Sequence, residues 1–211
     1  GRGLYLDLSM KAVVINEFGG PDVLGLAEVE TPSPADGQVL VRVKAAGVNP
    51  VDTYIRSGIH AVKPKLPYTP GKDGAGVVEA VGPGVLRFAP GDRVYIADTL
   101  TGSYAEYVLC REDQLGRLPE NVSFEAGAGV FTPYATSYRA LFQKAGAKIG
   151  ETILVHGASG GVGIAAVQWA KSAGMRVIGT ASSEKGRELA TANGADAVFD
   201  HSDAGHYAAI M

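Results

Sequence analysis

Hydrophobic and polar residues alternate in short runs over the first half of the chain, from residue 10 to about residue 118. Residues 38–45 show the pattern most clearly, because Val39, Val41 and Val43 would share one face of a strand and the residues between them the other. Clusters of Pro, Gly and Asp separate the runs and predict turns. Many short strands with such turns are typical of a partly closed antiparallel barrel. The predicted strands are residues 11–17, 38–45, 76–81, 93–97 and 104–109.

Helix signals stand inside and just after this β-rich region. Asn49 followed by Pro50 is typical of a helix start, so residues 50–57 are predicted to be a short helix with Asn49 as N-cap. Residues 119–125 form the predicted boundary between two domains. Ser123 is the N-cap candidate there, and apolar residues at helical spacing predict one long helix through Tyr134, Tyr138, Leu141 and Phe142.

Strand and helix patterns alternate in the second half. The predicted order is strand 152–156, helix 161–172, strand 176–180, helix 184–193 and a short strand 197–200. Such alternation indicates a parallel sheet with right-handed crossovers, the doubly wound nucleotide fold. The sequence therefore predicts an α/β protein with a β-barrel domain at residues 10–122 and a Rossmann-type domain at residues 123–211. The second domain is expected to be truncated, because the chain stops at Met211 after about three strands.

A glycine-rich turn, GASGGVG at residues 157–163, joins the first of these strands to its helix. Glycines let the backbone approach a diphosphate, and unpaired N–H groups at a helix start attract its charge. The motif differs from the standard GxGxxG because Ala158 and Ser159 follow the first glycine. The alternative is a turn that binds nothing, but so many glycines cost backbone entropy that a structural turn seldom needs. We predict diphosphate contacts from Ser159, Gly160, Gly161 and Val162.

Composition narrows the function classes. A net charge of −3 among 211 residues, with no basic stripe, does not indicate a nucleic-acid surface. Cys110 is the single cysteine, which excludes an internal disulfide and fits a reducing, cytoplasmic compartment. No apolar run approaches the ~20 residues that span a bilayer. Residues 1–9 lack the layout of a signal peptide and are interpreted as a leader before a native start at Met10.

Several segments together resemble the zeta-crystallin-like quinone oxidoreductases, a zinc-independent family of the medium-chain dehydrogenases/reductases. The resemblance runs from residue 10 to about residue 207. Its motifs are FGGP at 18–21, GVNP at 47–50, TYIRSG at 53–58, PYTPG at 67–71, GSYAEY at 102–107, ASGGVG at 158–163 and QWAK at 168–171. The family implies a GroES-like catalytic domain followed by a Rossmann domain, NADPH as cofactor and a quinone as substrate. Family members continue beyond this chain's last residue, which implies a fragment, a splice form or a truncated form.

Zinc-dependent relatives hold a catalytic metal with Cys, His and a third Cys or Asp. The matching positions here carry Asn49, Lys72 and Thr132. An amide, an ammonium and a hydroxyl do not replace thiolate and imidazole as zinc ligands, so the resemblance predicts no metal. The four histidines of the chain are interpreted as surface or strand-end residues.

Cofactor choice depends on the end of the second Rossmann strand. NAD-preferring proteins carry Asp or Glu there, bonded to the ribose 2′-hydroxyl. Here the position is near Ala181, which leaves room for a 2′-phosphate; Ser182 can donate a hydrogen bond and Lys185 can supply charge. His201 matches a family contact near the adenosine. We predict NADPH, although Ser182 and Lys185 could instead be solvated helix-start residues.

Tyr54 matches a family residue at the nicotinamide end, and Asn49 lies five residues earlier. Both are candidate catalytic residues that would orient a quinone carbonyl or relay a proton to the reduced oxygen. The alternatives are a helix cap for Asn49 and a packed aromatic for Tyr54.

Other functions stay open at this level. Reduction of α,β-unsaturated carbonyls needs the same hydride geometry. A non-catalytic role is a different class: the family is associated with lens structure and with AU-rich RNA, against which the acidic charge balance argues. A truncated regulator that pairs with longer subunits is a third alternative. Family members associate through later Rossmann strands, which implies a homo-oligomer in the full-length form.

Overall fold

The computed structural model describes residues 9–210. Contacts divide the chain into two compact units, one ending at Phe131 and the other beginning at Thr132. The domain boundary between residues 122 and 123 stays a prediction, because a division by contacts does not report which part folds by itself. The predicted leader lies outside the described residues except for Ser9, which begins the first strand.

The N-terminal unit contains two antiparallel sheets. Strands β1 (Ser9–Val14) and β2 (Gly25–Glu30) form a pair. The larger sheet has five strands in the order β6-β3-β4-β5-β7. Its members are β3 (Gln38–Gly47), β4 (Asp73–Val81), β5 (Arg93–Ile96), β6 (Tyr107–Arg111) and β7 (Leu115–Arg117).

The core of this unit lies on one face of the larger sheet. Val39 and Val41 of β3, which were predicted to share one face, are fully buried and pack with Val94 and Val108. Leu40, between the two valines, is also fully buried, so this part of β3 is covered on both faces. Cys110 belongs to the same core, and burial raises the pKa of its thiol to about 12. The thiol is therefore protonated and inert in the native protein.

Sequence patterns missed β2 and β7. The exposed residues on β2 leave only one weakly covered face, so its alternation is faint. β7 has three residues, too few for any period to show. The other strands of this unit were predicted to within three residues at each end.

The C-terminal unit is built around a three-stranded parallel sheet in the order β10-β9-β8. The strands are β8 (Thr152–Val155), β9 (Arg176–Thr180) and β10 (Ala197–Phe199). Helices α4 (Gly161–Ser172) and α5 (Glu184–Ala192) follow β8 and β9, and α6 (His206–Ile210) follows β10. This arrangement and the antiparallel sheets of the first unit confirm the predicted α/β class.

Small apolar residues carry the packing between α4 and the parallel sheet. Val167 and Ala170 of α4 are fully buried against Val177 of β9. An ion pair closes the amino end of the sheet: both Asp196 carboxylate oxygens accept from Lys171 Nζ, at 2.8 and 3.0 Å. These contacts, and the hydrogen bond from the Val177 N–H, lower the pKa of Asp196.

The long helix predicted after Ser123 is wrong, because three shorter segments replace it. Helix α2 (Phe124–Ala128) is capped by Ser123, whose Oγ accepts the Ala126 N–H at 3.2 Å. Gly129 ends it, since glycine is a poor helix former. Helix α3 (Phe131–Tyr138) then passes into a π-helical turn at Arg139–Lys144. Trp169 of α4 packs edge-to-face against aromatic rings from α3 and this turn, those of Tyr134, Tyr138 and Phe142.

Candidate functional site

The glycine-rich turn lies at the carboxyl end of β8, as predicted. Gly157 has a positive φ of 67°, which favours glycine, and its carbonyl accepts the Gly160 N–H at 3.0 Å. The Ala158 N–H donates to the Thr180 carbonyl at 2.8 Å, which joins the turn to the end of β9. Helix α4 then begins at Gly161 with Gly160 as a cap that supplies no side-chain hydrogen bond.

The first turn of α4 leaves backbone donors open. Within residues 9–210, the N–H groups of Gly161, Val162 and Gly163 donate to no protein atom. Three unsatisfied N–H groups at the positive end of a twelve-residue helix are suited to donate hydrogen bonds to the oxygens of an anion. A diphosphate is the ligand for which such a turn between a parallel strand and a helix is suited.

Glycine stands at different positions of the turn for different reasons. At Gly163 a Cβ would lie 2.2 Å from the Gly157 carbonyl oxygen, so helix–turn packing requires glycine there. At Gly160 the backbone is in the β region, and a Cβ would meet only the Gly157 oxygen, at 3.5 Å. Neither conformation nor packing against residues 9–210 requires glycine at Gly160. The open space beside it fits a ligand that approaches the backbone closely.

Ser159 brings the turn next to the start of α5. Its Oγ would lie 3.0 Å from a Cβ at Gly186, in the first turn of that helix. Ser183 is the N-cap of α5 and accepts the Gly186 N–H at 3.1 Å. The neighbouring predicted contacts, Ser182 and Lys185, are both exposed. The turn and the predicted 2′-phosphate residues thus lie on one edge of the sheet.

An ion pair that the sequence did not suggest organises this edge. Arg187 of α5 donates from Nη1 to Asp200 Oδ2 at 2.8 Å, and to the carbonyl of Ser182 at 3.0 Å. Hydrogen bonds from Ser202, together with the charge of Arg187, lower the pKa of Asp200. Its carboxylate therefore faces the protein's own guanidinium. In the sequence, only an acidic residue directly after β10 could have indicated this ion pair.

His201 directly follows Asp200, and its ring shares a hydrogen-bond partner with a second histidine, His156. His201 Nδ1 is 3.2 Å from the Thr180 hydroxyl, and His156 Nδ1 is also 3.2 Å from the same oxygen. His156 was interpreted only as a strand-end residue, and Thr180 was not singled out. Their spacing in sequence carries no motif, so only the packed strands reveal the group.

The two candidate catalytic residues lie on helix α1 (Pro50–Arg56) of the N-terminal unit. Asn49 is its N-cap by position and is buried; its Nδ2 donates to Asp73 Oδ2 at 3.0 Å. Its backbone N–H donates to Asp52 Oδ2 at 2.8 Å. Tyr54, in contrast, is 49% exposed. The side chains thus stand in different environments, and their catalytic roles stay predictions.

Asp52 connects the start of α1 to two tyrosines. Tyr104 donates its phenol O–H to Asp52 Oδ2 at 3.0 Å. Burial, and then the Asp52 charge, raise the pKa of Tyr104 and that of Tyr68. Both phenols are therefore protonated at neutral pH, and the Tyr104 hydroxyl is a donor that holds the Asp52 carboxylate in place.

A cavity of about 820 Å³ opens on one side of α1. Asp52 and Ile55 of the helix line it, together with loop residues between His60 and Lys72. Neither Asn49 nor Tyr54 is among the lining residues. Since successive helical residues are about 100° apart, Tyr54 lies about 200° around the helix from Asp52. The cavity and the Tyr54 side chain are thus on different faces of α1.

Comparison with known families gives a separate match for each of the two units. Residues 35–120 match the alcohol dehydrogenase GroES-like domain, and residues 161–211 match the zinc-binding dehydrogenase family. Human quinone oxidoreductase is 52% identical over 193 residues, which cover 91% of this chain and 59% of that protein. The chain belongs to the quinone oxidoreductase family. This confirms the predicted zeta-crystallin-like resemblance and the GroES-like assignment of the first unit.

Solved structures of quinone oxidoreductases are similar to the chain. That of Pseudomonas syringae pv. Tomato DC3000 is 42% identical with a TM-score of 0.85, covering 94% of this chain and 61% of that one. The Escherichia coli quinone oxidoreductase, solved as a complex with NADPH, is 36% identical with a TM-score of 0.83, covering 92% and 59%. The chain thus spans about three fifths of the length of the quinone oxidoreductases that it matches.

The residues at the family's metal positions have other contacts. Asn49 Nδ2 is bonded to Asp73, and Lys72 Nζ forms an ion pair with Asp98 at 2.8 Å. In the part of the chain that the structure describes, no three His, Cys, Asp or Glu side chains form a group that could hold a metal ion. The absence of zinc stays a prediction. Across residues 9–210, no helix has the length and hydrophobicity that a membrane span requires.

Proposed function

We propose that this chain functions as part of an NADPH-dependent, zinc-independent quinone oxidoreductase. NADPH, when bound, supplies the reducing equivalents, and a quinone accepts them. The proposal is supported by 52% identity with human quinone oxidoreductase and by the open N–H groups at the start of α4 in the C-terminal unit. The homo-oligomeric state and the cytoplasmic location belong to the same proposal.

One observation supports the nucleotide-binding part of the proposal: no contact within residues 9–210 requires glycine at Gly160. It stands directly before three open N–H donors at the start of α4. A diphosphate would accept from these donors and occupy the space that a Cβ at Gly160 would fill. Ser159 would contact the same group from the side of α5.

The preference for NADPH rests on the residues after β9. Ala181 is buried where NAD-preferring proteins carry an acidic residue. The Asp200 carboxylate, which follows β10, is paired with Arg187, so it would repel a 2′-phosphate less than an unpaired carboxylate. Ser182 and Lys185 are exposed, and they would supply a hydrogen bond and a positive charge. His201 would contact the adenosine side.

Tyr54 and Asn49 are proposed to act on the substrate. The half-exposed phenol of Tyr54 would orient the quinone carbonyl or pass a proton to it. One Asn49 Nδ2 hydrogen is donated to Asp73, which fixes the amide orientation, and the second Nδ2 hydrogen would be available to substrate or cofactor. With an amide and a paired lysine at the metal positions, this chemistry would need no zinc.

A titration with NADPH and NADH tests the proposal. We expect NADPH to bind the chain at least tenfold more tightly, and Lys185→Glu to remove about tenfold of NADPH affinity while leaving NADH binding unchanged. Lys148→Glu is the matched control, because Lys148 is also exposed but precedes β8, at the opposite end of that strand. Equal or tighter binding of NADH by the unmodified chain would overturn the cofactor assignment.

Turnover is measured separately, with NADPH oxidation in the presence of a quinone or an enone and after dialysis against a chelator. Faster turnover of the quinone, unaffected by the chelator, is expected. Preference for the enone would assign the alternative substrate class, and loss of rate on chelation would overturn zinc independence.

A further inference from the structure

We propose that Thr180 is a positioning residue whose buried hydroxyl holds the glycine-rich turn and His201 in one fixed arrangement. The inference rests on the proposed function, because the two groups that it connects are the predicted diphosphate and adenosine contacts. Thr180 itself would touch no part of the nucleotide.

Thr180 stands where the turn and the loop after β10 meet. It is the last residue of β9, fully buried, and paired in register with Phe199 at the end of β10. Its carbonyl accepts the Ala158 N–H at 2.8 Å, and its Oγ1 accepts the Gly157 N–H at 3.3 Å. The carbonyl and the hydroxyl of Thr180 thus both accept hydrogen bonds from the turn.

The same hydroxyl holds two imidazoles. His156 Nδ1 and His201 Nδ1 each lie 3.2 Å from Thr180 Oγ1. The residues come from the ends of β8, β9 and β10, so one oxygen atom connects all three strands of the sheet at the edge that carries the turn. Loss of the His201 ring would therefore change the hydrogen bonds that the Thr180 hydroxyl makes with His156 and Gly157.

The number of hydrogen bonds that one hydroxyl can make determines which histidine nitrogens carry protons. A threonine hydroxyl has one hydrogen to donate and two lone pairs. The Gly157 N–H uses one lone pair, so one imidazole must donate from Nδ1 to the other lone pair while the second accepts the hydroxyl hydrogen. The two neutral histidines must then carry opposite tautomers, one protonated on Nδ1 and the other on Nε2.

Removing only the hydroxyl separates positioning from packing. Thr180→Val keeps the β-branched shape that suits a strand but cannot hydrogen-bond. Thr180→Ser keeps the hydroxyl and is the rescue variant. His201→Ala is a further variant on an exposed residue, which leaves the buried strand end intact and keeps the question open to test if Thr180→Val does not fold.

The first measurement is nitrogen-15 NMR of the histidine rings in the whole chain at about pH 9, above the range in which imidazoles change charge. We expect opposite tautomers for His156 and His201, loss of this difference in Thr180→Val and its return in Thr180→Ser. In His201→Ala the ring nitrogen shifts of His156 should move. Equal tautomers in the unmodified chain, or an unmoved His156 signal, would overturn the shared hydroxyl.

The second measurement is NADPH affinity of the same variants. We expect Thr180→Val to bind at least fivefold more weakly and Thr180→Ser to stay within twofold of the unmodified chain. Unchanged affinity in Thr180→Val alongside altered tautomers would overturn the positioning role. Failure of the unmodified chain to bind NADPH would instead count against the proposed function, while the tautomers would still decide whether the hydroxyl connects the three residues.

Discussion

Replacing Gly160 by alanine places a methyl group in the space where the diphosphate is proposed to lie. The backbone at Gly160, with φ −78° and ψ 165°, is allowed for alanine, and the new Cβ would make one ordinary contact at 3.5 Å. Alanine is a poorer N-cap than glycine, a cost of about 0.5–1 kcal/mol, but it lowers the entropy of the unfolded chain by a similar amount. The free energy of unfolding should therefore change by less than about 1 kcal/mol.

Binding should respond far more strongly than stability. If the methyl group keeps the diphosphate from one open N–H donor of α4, the loss is that of a hydrogen bond to a charged group, about 1.5–3 kcal/mol. Because about 1.4 kcal/mol corresponds to a factor of ten, NADPH should bind about 10-fold to 150-fold more weakly. Calorimetric titration measures the affinity, and urea denaturation followed by Trp169 fluorescence measures the stability.

Gly163→Ala is the matched control, because it makes the same chemical change three residues later. Its Cβ would lie 2.2 Å from the Gly157 oxygen and 2.8 Å from Ala158 Cα, which are backbone atoms that must move. We expect a loss of about 1–3 kcal/mol in the free energy of unfolding. A Gly160→Ala chain that folds normally and binds NADPH as tightly as the unmodified chain would refute the diphosphate assignment.

Two further predictions concern stability. Asp196→Asn should destabilise the chain at pH 7, since Lys171 lowers the pKa of this carboxyl; the stabilisation is complete above the unfolded-state value of about 3.9 and is lost as pH falls through the lower folded-state value. Urea denaturation at pH 7 and about pH 2.5 checks this, and a pH-independent difference would contradict it. Tyr104→Phe should cost about 1–3 kcal/mol in the same assay by removing the donor to Asp52. Tyr95→Phe is the control and should cost little, because the Tyr95 hydroxyl has no hydrogen-bond partner among residues 9–210.

The parallel-sheet unit was predictable because its pattern changes period at every element. Apolar strands alternate with helices that have one buried stripe, and glycines mark the junctions. Helix 161–172 and strand 176–180 were predicted with the bounds that the structure has. The break after α2 was missed because apolar spacing continues across Gly129, and a period does not report the weak helix propensity of a single glycine.

The side-chain network of the candidate site was not predictable in the same way. Thr180 contacts residues 23, 24 and 21 positions away in sequence, at Gly157, His156 and His201. Such contacts depend on the register of neighbouring strands, which leaves no trace in the spacing of residue types. The glycine-rich turn, in contrast, is local: its contacts lie within a few residues, so its sequence alone indicates its backbone.

Cys110 and Trp169 give each unit its own reporter. The chain has one cysteine and one tryptophan, and the first is sealed in the valine core of the N-terminal sheet while the second lies among the aromatic rings beside α4. Alkylation of the thiol can therefore follow the opening of one unit while indole fluorescence follows the other. The order in which the two units unfold can thus be measured in the natural sequence, without substituting any residue.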